Sequence, residues 1–215
     1  MNISKKLSPK LAISIILIIF ASTFLYFLYK PDGKKTETTS TPDIVTNSTS
    51  QPDEEQPEKL GYKWRGQADE PKKLKISAIN VDAFIQKVGV DQNNQVAVPT
   101  NIFLVGWFVD SSKPGENGLS IIDGHVDGRT VKDGVFARLS ELKIGDNIKI
   151  ILGDDTEKSF VVNSAVTVPN DDALAVLFSQ DPTVPSQLNL VTCGGSFDKT
   201  AGTYNKRVIV SARLE

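Results

Sequence analysis

The 215-residue sequence holds one cysteine, Cys193, and one histidine, His125, a pair that suits nucleophilic thiol chemistry. A thiol attacks only as thiolate, from a reference pKa of about 8.5, and a neighbouring imidazole is the usual device for generating it. Cys193 ends the strand-like run Leu188-Asn189-Leu190-Val191-Thr192 and precedes Gly194-Gly195, where another backbone can approach closely. His125 stands in Ile121-Ile122-Asp123-Gly124-His125-Val126-Asp127-Gly128, also at the end of an apolar run flanked by glycine. Each has a plainer explanation. A free cysteine is commonly a small buried hydrophobe, and a strand-end histidine can simply be satisfied by Asp123 or Asp127. Arg207 opens the last apolar run, Arg207–Ala212. If Gln187–Cys193 and Arg207–Ala212 pair antiparallel, a guanidinium comes toward the thiol, where it could hold a developing oxyanion. Lys206 competes for that role, and spacing alone does not separate the two. No second Cys or His exists to complete a zinc site of three or four ligands, so no metal and no cofactor is expected.

The elements that must position these residues are mostly strands. Short β-branched runs cut by turn residues occur at Leu74–Ile79, Ala83–Val88, Leu119–Ile122, Asn147–Leu152, Lys158–Thr167, Gln187–Val191 and Arg207–Ala212. Such spacing predicts a closed barrel or sandwich rather than βαβ units. Helical signals are short: Asp171–Phe178, with Asn170 as its N-cap, and a second at Val135–Leu142. No Gly-rich phosphate loop occurs, and Lys plus Arg total 24 against 26 Asp plus Glu, so nucleotide chemistry and nucleic-acid binding have no foothold.

The first thirty residues are different in kind. Leu11–Tyr29 carries no charge, and as a helix it would reach about 28 Å, close to the ~30 Å hydrocarbon core of a bilayer. Lys5, Lys6 and Lys10 precede it, which predicts a cytoplasmic N-terminus and an exported remainder. Its length and aromatic end argue for an uncleaved anchor rather than a signal peptide. Residues 31–71 hold Pro31, Pro42, Pro52 and Pro57, a Thr/Ser-rich middle and Asp53-Glu54-Glu55, a composition that predicts a disordered linker with a mean span of roughly 35 Å. The expected organisation is thus a tail and transmembrane anchor over 1–30, a linker over 31–71 and a catalytic domain over 72–215, at the cell membrane with the domain outside.

Across the domain the residues resemble a sortase, and among sortases class F. The resemblance is carried by Lys75-Ile76-Ser77-Ala78-Ile79-Asn80-Val81-Asp82-Ala83, Val105-Gly106-Trp107-Phe108, Pro114-Gly115 and Gly124-His125-Val126-Asp127. It continues through Val135–Asp146, Leu190-Val191-Thr192-Cys193-Gly194-Gly195-Ser196-Phe197-Asp198 and Tyr204-Asn205-Lys206-Arg207-Val208. Any one piece is weak; in this order, behind an anchor and spacer, they are specific. The resemblance implies a mainly β fold, a closed eight-stranded barrel with short helices, and a membrane-anchored cysteine transpeptidase. Its implied catalytic residues are His125, Cys193 and Arg207, with Thr192, Asp127 and Gly194 as substrate-binding candidates. Its implied partners are exported proteins bearing a Leu-Pro-x-Thr-Gly-like C-terminal signal and the amine of a cell-wall precursor. Val166–Ser186 matches in position the sortase loop that lines the signal groove. Two positions depart from the pattern. Asn189 replaces the threonine four before the cysteine, and Asp123 replaces a small residue, adding a carboxylate that would raise the His125 pKa or alter the accepted amine. Two other readings fit the same residues: a surface cysteine peptidase resolved by water, and a non-catalytic anchored domain that binds a wall polymer or protein.

Overall fold

A computed structural model describes residues 44–49 and 51–215. Eight strands run in order: β1 Pro71–Ile76, β2 Val81–Val88, β3 Val105–Phe108, β4 Gly118–Gly124, β5 Asn147–Leu152, β6 Glu157–Pro169, β7 Ser186–Asp198 and β8 Thr203–Leu214. They close into a barrel in the order β1-β2-β3-β4-β7-β8-β6-β5. Among the described residues one α-helix, α1 (Asn170–Leu177), follows β6.

Period-two patterning explains the closure. In β5, Ile148, Ile150 and Leu152 turn inward while Asn147 and Lys149 face water. With Leu74, Ile76, Ile85, Ile122, Phe136, Phe160, Leu188, Leu190 and Val210 they fill the interior, and each such side chain fully buried contributes about 1.5–3 kcal/mol. A second apolar layer lies on the outside. Val88, Phe108, Ile121, Val191 and Ile209 are covered there by Ala173 and Leu177 of α1 and by Val45. This outer layer matters for the site, because it fixes α1 over the strands that carry the chemistry.

Five expectations are corrected. Cys193 does not end its strand and Arg207 does not open the next: β7 runs through Gly194-Gly195 to Asp198, and β8 begins at Thr203. β3 was not among the seven runs picked out; all four of its residues are buried, so it shows no alternation. The helix expected at Val135–Leu142 shrinks to a 3-10 turn over Leu139–Glu141. Asn170 is not the N-cap of α1. It is the first helical residue, Pro169 precedes it, and no side chain caps the helix. Nor is the linker a free coil along its described part. Val45 N donates to Lys87 O at 2.9 Å and Gly89 N to Val45 O at 2.8 Å, and the Val45 side chain is buried in the outer layer. Asp53 bridges to Asn101, and Pro57 to Tyr62 form a turn closed by a 2.9 Å bond. The anchor Leu11–Tyr29 and residues 31–43 lie outside the described residues, among which no helix is long and apolar enough to cross a membrane.

Candidate active site

The antiparallel β7–β8 pair sets Cys193 directly opposite Arg207. On the other side of β7, the parallel pair with β4 sets Val191 opposite Asp123, and Thr192 Oγ1 donates to Gly124 O at 2.6 Å. That contact carries the register one pair further and brings His125, one residue past the end of β4, level with Cys193. Neighbouring strands lie about 4.8 Å apart, so the thiol stands between imidazole and guanidinium. Alternation decides the face. Leu190 and Val208 point into the barrel and Val191 and Ile209 to the outer layer, so Cys193 and Arg207 continue the outer face beside α1.

Arg207 is held by its Nη1 alone, which donates to Asn170 Oδ1 at 2.8 Å, Lys206 O at 2.9 Å and Tyr204 O at 3.2 Å. Asn170 Nδ2 also donates to Tyr204 O at 2.7 Å. The polar group expected to cap α1 therefore fixes the guanidinium, and its Nε and Nη2 make no hydrogen bond among the described residues. Lys206 is exposed and lies opposite Gly194, which separates it from Arg207.

The imidazole is fixed differently. His125 Nε2 lies 2.8 Å from Pro99 O; a carbonyl only accepts, so Nε2 carries the proton and Nδ1 remains for proton transfer. Burial pushes the His125 pKa down, partly offset by the Pro99 carbonyl and the nearby Asp127 charge. Burial pushes the half-buried Cys193 thiol up, opposed by the Arg207 charge and reinforced by Asp127 and Asp123. Near pH 7 the pair therefore rests as neutral thiol and neutral imidazole.

Of the three substrate-binding candidates, Asp127 accepts a bond from Tyr204 OH at 2.5 Å, which pushes the Tyr204 hydroxyl up to about 12. Tyr204 stacks edge-on against Phe197 across the hairpin, with ring centroids 5.3 Å apart. Gly194 is buried beside the thiol, where a Cβ would stand 2.9 Å from Val208 Cγ2. Thr192 turns inward and spends its hydroxyl on Gly124 O, so it locks β7 to β4 and does not face the outer side. Asp123 is also corrected. It is 8% exposed, its Oδ1 has no partner among the described residues, and burial holds its carboxyl well above the ordinary range. Burial thus works against its ionisation, and the carboxylate charge that acts on His125 is that of Asp127. A Cβ at Gly106, its partner on β3, would come within 2.4 Å of Asp123 Oδ1, so that glycine makes its room.

Asn189 has a visible purpose. Its Nδ2 donates to Leu177 O at 2.7 Å, while Gln187 Nε2 donates to Ser179 O at 3.0 Å and to Asn189 Oδ1 at 2.9 Å. Gln187 Oε1 accepts from Asp181 N at 2.8 Å. The strand bearing the nucleophile thus ties down the C-terminal end of α1 and the segment after it. Pro99 has no signal in the sequence; Asn170, Gln187 and Tyr204 stand there only as a helix cap, a strand residue and part of a motif, and their ties to Arg207, to the segment after α1 and to Asp127 come from the fold.

A sortase-domain family model matches residues 74–215. Sortase D of Bacillus subtilis (strain 168) is 30% identical over 109 residues, which is 48% of this chain and 50% of that protein, so the match spans half of the relative's length. Among solved structures, a lid mutant of Corynebacterium diphtheriae sortase A superposes with a TM-score of 0.53 at 22% identity, covering 70% of this chain and 73% of that one. A Clostridium perfringens sortase D5 transpeptidase gives 0.50 at 25% identity, covering 74% and 85%. With the family model extending from β1 to the last residue and including all three facing side chains, the chain belongs to the sortase family of cysteine transpeptidases.

Proposed function

We propose that the chain joins exported proteins to an amine by two acyl transfers at Cys193. The observation that carries this reading is the placement of one thiol between an imidazole and a guanidinium on the outer face of the barrel. Attack draws on the fraction in which His125 Nδ1 has taken the Cys193 proton. Sγ then bonds to the carbonyl carbon of the signal peptide, and the Nε and Nη2 donors of Arg207 hold the oxyanion, a contribution of several kcal/mol for preorganised donors. As the tetrahedral species collapses, the C–N bond breaks and His125 returns its proton to the leaving amine. A thioester remains. An incoming amine attacks it, His125 accepts the amine's proton, and the C–S bond breaks to release the joined product and the thiolate.

The substrate is a Leu-Pro-x-Thr-Gly-like C-terminal signal cleaved after threonine, and the acceptor is the amine of a cell-wall precursor; both rest on the sortase resemblance. The class F assignment rests on the motifs around His125, Cys193 and Arg207, since the relatives named above are of classes A and D. Leu11–Tyr29 would anchor the chain in the cell membrane with its N-terminus cytoplasmic, the linker keeping the domain within reach of substrates as they leave the membrane.

The test incubates the full chain in detergent micelles with a Leu-Pro-x-Thr-Gly peptide, with and without added amine. A thioester mass on Cys193 and an amine-dependent joined product are expected. Hydrolysed product at a rate indifferent to amine would make the protein a peptidase instead, and no covalent adduct at all would leave it a binding domain.

A further inference from the structure

The segment Gln51–Gln56 precedes the residues that match the family, yet it is bonded to both loops that flank His125. On one side Asp53 N donates to Thr100 O at 2.9 Å, Ile102 N to Asp53 O at 3.0 Å and Asn101 Nδ2 to Glu55 O at 2.8 Å. These contacts fix Thr100–Ile102, and the carbonyl immediately before them, that of Pro99, receives His125 Nε2–H. On the other side the Glu54 carboxylate seats in the turn that follows His125. It accepts from Thr130 N at 3.0 and 3.2 Å, from Val131 N at 3.3 Å, and from the Thr130 hydroxyl. A Cβ at Gly128 would stand 2.5 Å from Glu54 Oε1, so the turn is shaped around this carboxylate. The turn is bound back to the histidine, since Phe136 N donates to His125 O at 2.9 Å and Gly134 N to Val126 O at 3.0 Å.

We propose that Asp53-Glu54-Glu55 is a positioning clamp for His125, acting through Pro99 and the Gly128–Val131 turn without touching substrate. His125 lies past the end of β4, where no ladder bond sets its side chain. The clamp takes over that task by holding the acceptor for Nε2–H, which both orients the ring and favours the imidazolium that acyl transfer needs. The Thr130 hydroxyl and the backbone N–H groups pull the Glu54 carboxyl down to about 2, so it stays ionised throughout the working pH range and the clamp does not switch. The charged group that acts on the imidazole is Asp127, which accepts from Tyr204 OH; Cys193 lies on the neighbouring β7 and Arg207 on β8 beyond it, and no hydrogen bond or ion pair joins the clamp to any of these groups.

Which step His125 serves rests on the proposed function, so the test includes thiol chemistry that needs no peptide. The full chain is compared with Glu54→Ala and Asp53→Pro, the second removing the N–H that reaches Thr100 O. Iodoacetamide alkylation of Cys193 is followed from pH 5 to 9, and kcat and KM are measured for peptide plus amine. Both variants should alkylate about tenfold more slowly at pH 7, a loss on the scale of imperfect positioning. The acid limb should move to lower pH, because loss of the Pro99 acceptor removes a contact that favours the protonated ring. kcat should fall while KM stays within about twofold of native, and Glu54→Gln, which keeps one acceptor oxygen, should recover part of the rate. The clamp is overturned if both variants keep the native alkylation profile, or if rates fall with the acid limb unmoved and KM raised. Should the native chain alkylate normally but never acylate with peptide, the functional reading fails, while the alkylation profiles still decide the clamp.

Discussion

The two sides of the site are held by different means. Cys193 and Arg207 sit on β7 and β8, of 13 and 12 residues, and face each other because the ladder runs without a shift from Gln187 to Gly194. His125 sits beyond its strand and owes its pose to a proline carbonyl and a loop. A strand register is all-or-none, since a slip by one residue would turn Cys193 into the barrel. A loop pose is graded. Faults on the hairpin side should therefore remove turnover at every pH, whereas faults on the histidine side should reshape the pH profile.

The largest effect comes from the group both sides serve. Cys193→Ala should reduce transpeptidation to background with the fold kept, measured by product formation and circular dichroism, because it leaves only a small cavity. His125→Ala should be nearly as severe, and the double variant no worse than either, since groups that act as one unit do not add. The comparison sharpens at Arg207→Lys. This keeps the charge but loses the planar fork, and kcat should drop roughly 10²-fold at every pH. Lys206→Ala should cost less than about tenfold, as expected of an exposed side chain outside the reacting set. Survival of Arg207→Lys with collapse of Lys206→Ala would contradict the observed register.

The same contrast governs what could be seen in the sequence. The hairpin was legible in outline, because two β-branched runs joined by a short return segment invite an antiparallel pairing; its register, which places Arg207 and not Lys206 opposite Cys193, came from strands that run past Gly194-Gly195. Chemistry was legible for His125 because the chain offers no other imidazole. Its support was not. Pro99 is remote in sequence, and Glu54 lies in a stretch whose prolines and acids spell a coil. Nothing in composition marks a carboxylate that will be cradled by backbone N–H groups of a turn seventy-odd residues away. Asp123 misled for a related reason: its type suggests a charge, while its four buried neighbours in β4 work against ionisation.

Asn189 tests whether the hairpin side has a second duty. Asn189→Leu leaves the Leu177 carbonyl without its buried donor, which costs about 1–3 kcal/mol. It leaves Cys193 and Arg207 in register. If the tie to α1 shapes a peptide groove, KM for the signal should rise about tenfold while iodoacetamide reactivity stays native, as expected when binding rather than the nucleophile is damaged. An unchanged KM with a lowered melting temperature would reduce the tie to plain packing.

The smallest effect is expected at Asp123, and it separates burial from charge. Because its folded carboxyl is held well above its ordinary value, the stability it supports is complete below the unfolded pKa of about 3.9 and is lost as pH rises toward the folded one. Asp123→Asn keeps the shape and removes the titration. If burial keeps the native group uncharged near pH 7, kcat of the variant lies within about twofold of native there. Its melting temperature relative to native should climb steadily as pH is raised from 4 to 8, since only the native chain is being asked to ionise a buried carboxyl. A variant that lost turnover sharply at pH 7, with no such climb, would mean that Asp123 is ionised beside Cys193 after all. The histidine side would then be governed by two carboxylates, Asp123 and Asp127, rather than by Asp127 alone.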